Sequence, residues 1–287
     1  MATVAMLSVA ACQGRPATDI RADTARPVMA VTIFPIGDIA RTLAGSAADV
    51  AVILPAGASP ATFEPTPEQV RRLAGARVVV AVGAGADDWG GALARTWGAP
   101  LVVLTQNMAL AHGGNPHVWL DPILVRDAIL PQLTEALIRV VPADEAPIRA
   151  RAAEYRASLT ALDSEIRATF SAVDAHAFVA THPAWPYFAE RYGLRQVGVL
   201  YPAPGRELSP RELGRLIDEA RRAGVHAVFT EPQLGEAGAR ALASELDARV
   251  GTLDPLGGPG VAGRASYPAL LRFNAGTLAN TLGGRHE

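Results

Sequence analysis

Three side chains able to bind a metal stand at comparable places in the chain. His117 lies in Asn115-Pro116-His117-Val118-Trp119-Leu120-Asp121-Pro122, His182 in Thr181-His182-Pro183, and Asp254 in Leu253-Asp254-Pro255. His182 and Asp254 each follow a short apolar run and precede a proline. His117 sits on a stiff Asn-Pro corner ahead of a helix start, where Asp121 suits the N-cap and Pro122 the first helical position. Two imidazoles and a carboxylate form a borderline-soft donor set that suits Zn²⁺ and accepts Mn²⁺ or Fe²⁺. Each residue also has a plainer reading. By position alone His117 reads more often as a surface or capping histidine, His182 reads also as a cap and Asp254 as a turn residue.

The elements that would position them alternate along the chain. Met29 to Phe34, Val50 to Leu54, Arg77 to Val82 and Pro100 to Leu104 read as strands, with helices from about Ile36 and from Pro67. Continuous β-branched runs between helices indicate parallel strands covered on both faces. Residues 143–172 then contain no strand. Ile148, Ala152, Tyr155, Leu159, Leu162, Ile166 and Phe170 recur there at helical steps, which predicts one amphipathic helix about 40 Å long at ~1.5 Å per residue. The alternation resumes with strands at Ala177 to Thr181, Gln196 to Leu200, Ala227 to Thr230 and Arg249 to Leu253. Helices are expected over Pro183 to Tyr192, from Ser209 to Ala223 with a Ser209–Glu212 capping box, from about Gly235 to Leu246, and over Tyr267 to Leu282.

The expected fold class is α/β. It has two parallel-sheet lobes joined by one long rigid helix, with a metal cleft between them. The expected divisions are a signal and tether at 1–27, an N-terminal lobe at 28–142, the linking helix at 143–172 and a C-terminal lobe at 173–287. Ligands of open parallel sheets bind beyond the carboxyl ends of the strands. His182, Asp254 and Glu231 fall at such ends in the second half, and His117 falls in the loop after the fourth strand. Across a cleft, His117 would face His182 and Asp254. Glu231 reads as structural, bonding loop amides nearby. His112 is close enough to participate but lies beside Gly113-Gly114, which makes its loop mobile.

Composition narrows the function classes. The chain has 287 residues, 49% hydrophobic and 19% charged, with a net charge of −2. It can bury a substantial core and shows no nucleic-acid footprint. All 26 basic residues are arginine, a compositional bias and not a functional signal. The one cysteine, Cys12, excludes an intrachain disulfide. Val9-Ala10-Ala11-Cys12 closes an apolar run too short to span a bilayer but suited to a signal-peptide core. It is similar to a bacterial lipobox, in which the cysteine is lipidated. No Arg or Lys precedes the run, a departure from ordinary export signals. The plainer reading is a frayed terminus with an incidental thiol. The polar, proline-broken stretch at 13–27 reads as a tether, which places the protein in the periplasm or at the cell surface, lipid-anchored to a membrane.

The chain from residue 28 onward resembles the zinc/manganese-type solute-binding proteins of bacterial ABC importers. The resemblance rests, in order, on Thr32 to Ile36, Gly57 to Pro67, Asn115 to Pro122, His182 to Phe188 with Tyr192-Gly193-Leu194, Thr230 to Gln233, and Leu253 to Gly257. It implies two lobes bridged by a helix and one metal ion between them. It also implies delivery of that ion to a membrane permease and its ATPase, and no enzymatic activity. Its ligand positions fall on His117, His182 and Asp254, and histidine at 182 resembles the zinc-type members. The chain is expected to act as a monomer.

The departure lies at the first ligand. Family members carry histidine in a Gly-x-x-Pro-His pattern, whereas this loop reads Gly57-Ala58-Ser59-Pro60-Ala61. The long His/Asp-rich loop of many zinc members is also missing. Three readings remain. Water fills the fourth position, a neighbour such as His112 or Glu64 substitutes, or the cargo has changed. Two rival functions stay open as well. One is a metal-independent interaction lipoprotein on the same scaffold. The other is a zinc hydrolase with Glu231 or Glu64 as base, although neither sits in a His-Glu-x-x-His motif. A metal carrier should lose affinity as pH falls through the histidine range.

Overall fold

The computed structural model describes residues 26–283, so Cys12 and its surroundings lie outside the described residues. The first half contains β1 (Val28–Val31), α1 (Phe34–Ala44), β2 (Asp49–Val52), α2 (Pro67–Arg72), β3 (Val78–Ala81), α3 (Trp89–Trp97) and β4 (Leu101–Val103). The four strands form one parallel sheet in the order β2-β1-β3-β4. A helical run follows, α4 (Pro122–Leu124) and α5 (Leu130–Val140), joined through a π-turn at Val125–Ile129.

The second half repeats the design. It contains β5 (Ala177–Ala180), α7 (Pro186–Arg191), β6 (Arg195–Val199), α8 (Pro210–Arg222), β7 (Ala227–Thr230), α9 (Ala237–Leu246), β8 (Arg249–Thr252) and α10 (Tyr267–Gly283). Its sheet is parallel in the order β6-β5-β7-β8, the same topology as the first. The α/β class and the two sheets are as expected. The eight expected strands are present, most of them trimmed by a residue or two. Helix α3 was not anticipated.

Between the sheets runs α6 (Glu145–Thr169), 25 residues long and so about 37 Å at ~1.5 Å per residue. It is shorter at both ends than the periodicity predicted, and at the N-terminal end this is because Pro142–Asp144 forms a separate turn before it. Ile148, Tyr155, Leu159, Leu162 and Ile166 form its buried stripe, which packs against α1, α5 and α10. Arg151 donates to the Leu43 and Ala44 carbonyls at the end of α1, satisfying acceptors that the helix leaves open. Arg272 of α10 pairs with Glu165 of α6 at 2.8 Å.

One hydrophobic core passes through both halves. It includes Met29, Val31 and Val80 of the first sheet, Phe178 and Phe229 of the second, and the α6 stripe. Three side chains stitch the halves, Trp119 and Tyr267 fully buried and Asn115 half-buried. Trp119 Nε1 donates to the Pro255 carbonyl at 2.7 Å, the Tyr267 hydroxyl to the Trp119 carbonyl at 2.8 Å, and Asn115 Nδ2 to the Pro183 carbonyl at 2.6 Å.

Candidate metal centre

His117 and His182 come together at the seam between the halves. Their rings lie 4.8 Å apart, centroid to centroid, and nearly perpendicular at 81°. Both line a cavity of about 240 Å³ whose walls also include Ala61, Trp119, Glu231 and Gln233.

His117 reaches the cavity from the corner that the sequence marked. Asp121 accepts from the amides of Ile123 and Leu124, capping the helix that Pro122 opens. Asp121 also pairs with Arg191 at 2.8 Å, tying this corner to α7. Asn115 Oδ1 accepts from the His117 amide at 2.9 Å and lies 2.9 Å from its ring Nδ1. That contact occupies Nδ1 as the donor and leaves Nε2 with a free lone pair. The ring also packs on Trp119, with 4.9 Å between centroids. Burial, and then the neighbouring His182 ring, push the His117 imidazole well below the usual histidine range. The ring is therefore neutral, the form that binds metal.

His182 follows β5 directly, and Glu231 follows β7. These strands flank the point where the strand order of the second sheet reverses, the preferred ligand position in such sheets. Glu231 is almost fully buried and lies 3.2 and 3.1 Å, through its two oxygens, from His182 Nδ1. It also accepts from Trp185 Nε1 at 3.0 Å. Sequence reasoning gave Glu231 loop amides as partners. The structure gives it two side chains instead, and one of them is the candidate ligand. A carboxylate on one nitrogen of a ligating histidine fixes the ring and raises the basicity of the other nitrogen.

Asp254 is placed differently. Its Oδ1 accepts from the amides of Leu256 and Gly257, both at 3.0 Å, and its Oδ2 pairs with Arg264 Nη1 at 2.8 Å. Its neighbours Pro255 and Leu256 line the cavity, while the carboxylate turns towards Arg264. Among the described residues, no three His, Cys, Asp or Glu side chains are grouped so as to hold a metal ion. The structure thus brings together two of the three expected ligands and shows the third engaged elsewhere.

The remaining candidates divide. His112 has turned to Glu190, with 2.9 Å between His112 Nε2 and Glu190 Oε2, and lies edge-on to Tyr187. It does not line the cavity with His117. Glu64 is exposed and likewise absent from the lining. Ala61, on a short 3₁₀ turn at Pro60–Thr62, does face the cavity. Sequence reasoning missed Arg264 and the pairing of Asn115 with the His117 ring. The first carried no local signal, being ten residues from its partner across a glycine-rich loop. The second was legible in the two-residue spacing typical of Asn side-chain turns.

Comparison with known proteins identifies the family of the chain. Residues 29–281 match the family described as zinc-uptake complex component A, periplasmic. The high-affinity zinc uptake system protein ZnuA of Bacillus subtilis is 26% identical over 275 residues, covering 88% of this chain and 86% of that protein. A putative metal-binding protein of Thermotoga maritima is 29% identical over 261 residues, covering 88% of this chain and 91% of the relative. The crystal structure of a zinc-bound ZnuA deletion mutant superposes with a TM-score of 0.80 at 27% identity, covering 91% of this chain and all of that one. The match spans nearly the whole chain and describes a solute-binding protein, not an enzyme, which removes the hydrolase reading. The chain belongs to the family of periplasmic zinc-uptake component A proteins.

Proposed function

We propose that this protein captures a divalent transition metal, zinc before manganese or iron, between His117 and His182 and delivers it to an ABC permease driven by its ATPase. The observation that carries the reading is the pair of facing imidazoles in one cavity, each with its Nδ1 held by a second side chain and its Nε2 left to bind. Neutral imidazole nitrogens are zinc donors, and the rest of the ion's tetrahedral shell would come from water or other donors. The N-terminal Cys12 is the expected lipid anchor, holding the protein at the membrane outside the cytoplasm as a monomer. The buried links between the halves support small lobe movements on loading, so release proceeds by loop rearrangement at the permease and not by wide opening.

A metal-independent use of the scaffold is favoured by Ala61 and by the engaged Asp254. One measurement separates the two readings. A ligand that binds only the folded state raises the melting temperature. Zn²⁺ at about 100 times its Kd should stabilise the protein by about 2.7 kcal/mol. No shift with Zn²⁺, Mn²⁺ or Fe²⁺ would overturn the metal carrier and leave the scaffold reading.

A further inference from the structure

The corner around Asp254 is built to keep its carboxylate occupied. The loop from Asp254 to Arg264 closes on itself, with the Gly258 amide donating to the Arg264 carbonyl at 3.2 Å and the Arg264 amide to Val261 at 3.0 Å. Gly257 makes this closure possible. Its φ is +62°, and a Cβ there would lie 2.6 Å from the Arg264 carbonyl oxygen. Returned in this way, the Arg264 side chain lies over Phe273, with 4.6 Å from its guanidinium carbon to the ring centre, and reaches Asp254 Oδ2. Asp254 is 4% exposed and Arg264 20%. The pair is largely desolvated, the setting in which such a contact is hardest to leave half-made.

The chemical consequence concerns the charge at the site. A carboxylate beside two imidazoles adds an anionic donor and draws a divalent cation in. A carboxylate already paired with a guanidinium adds neither, and the arginine, whose charge is permanent, leaves the corner neutral. Arg264 Nε is buried with no hydrogen-bond partner, and so is Gln233 Oε1. Gln233 Nε2, in turn, is 3.5 Å from Asp254 Oδ1. The guanidinium therefore holds Asp254 through one nitrogen only, by position and stacking more than by a saturated network.

We propose that Arg264 is an affinity-setting residue that withholds Asp254 from the cargo, so that the loaded site uses the two histidines without this carboxylate. The proposal rests on the metal-carrier reading and assigns the site a weaker, faster-exchanging hold than a set that includes a free carboxylate.

The test is a double-mutant cycle on the purified protein, with Zn²⁺ affinity read by competition against a chromophoric chelator. Asp254→Asn in the otherwise unchanged chain should alter the affinity by less than about threefold, where loss of a true ligand or its positioning partner costs about 10- to 100-fold. Arg264→Gln should tighten binding by about tenfold, and adding Asp254→Asn should remove that gain. Arg264→Met, which keeps an apolar stem over Phe273, should behave like Arg264→Gln, guarding against a folding defect in the latter. The proposal fails if Asp254→Asn alone weakens binding tenfold or more, since zinc then displaces Arg264. It also fails if both Arg264 variants bind no tighter than the parent. Zinc binding by the Arg264 variants but not by the parent would support the withholding role and overturn the carrier reading of the parent. Silence of every variant would overturn both.

Discussion

The indole nitrogen of Trp119 donates to the carbonyl of Pro255 at 2.7 Å, joining residues 136 positions apart. One sits two residues after His117, and the other directly follows Asp254. Together with the bonds from Tyr267 to Trp119 and from Asn115 to Pro183, this contact ties the loops from the two halves that meet at the site. Trp119→Phe keeps most of the ring and deletes the donor, leaving the buried Pro255 carbonyl without its partner. Such a group costs about 1–3 kcal/mol. The urea midpoint should fall accordingly, and an unchanged midpoint would show that the contact contributes nothing to holding the halves together.

Ala61 lines the same cavity as His117 and His182. Ala61→His should therefore supply a third imidazole and tighten zinc binding by about tenfold, or ~1.4 kcal/mol. Calorimetric titration of both proteins under one buffer is the check. Equal affinities would mean that the turn at Pro60–Thr62 aims its side chain away from the ion.

Glu231 is expected to act through His182. Glu231→Gln retains size and buries no new charge, but takes the carboxylate from the ring nitrogen. Zinc affinity should drop about tenfold, the ordinary cost of losing a partner that orients a ligand. The parallel loss in melting temperature should be small. A large stability loss with unchanged affinity would make the residue structural only.

The burial of His117 predicts a pH effect on the metal-free protein. Its folded-state value is depressed below the unfolded one, which is about 6.5. Below that value the unfolded chain takes up a proton that the folded protein refuses. This contribution to stability is therefore present above about pH 6.5 and is lost as pH falls towards the folded value. Between pH 7.5 and 5.5 the urea midpoint of the parent should decline more steeply than that of His117→Gln. Parallel declines would mean that the folded ring protonates as readily as the unfolded one.

Local chemistry makes much of this legible in the sequence. Asp121-Pro122 and Ser209–Glu212 announced their helix starts, and both caps form. The continuous apolar strands announced parallel sheets. Helix α3 stayed hidden because Gly90 and Gly91, poor helix formers, stand in its first turn. A Cβ at Gly90 would lie 2.7 Å from Thr32 Cγ2 and 3.3 Å from Ala81 Cβ, so packing against Thr32 and β3 requires a residue that propensity counts against a helix. His117 and His182 could be paired because each stands beside a proline at an element boundary. The diversion of Asp254 could not be foreseen, since it depends on a loop folding back to deliver Arg264.

The shared core also determines how the protein comes apart. Met29 and Phe229, from different sheets, belong to one apolar cluster that includes the buried stripe of α6. Neither half keeps that cluster covered without the other. Truncation at the middle of α6 should yield two sticky fragments and no miniature binding domain, and the intact chain should melt in one calorimetric peak. Evolution therefore cannot trade the halves as independent modules. Any change that retunes the metal seam is felt by the stability of the whole molecule.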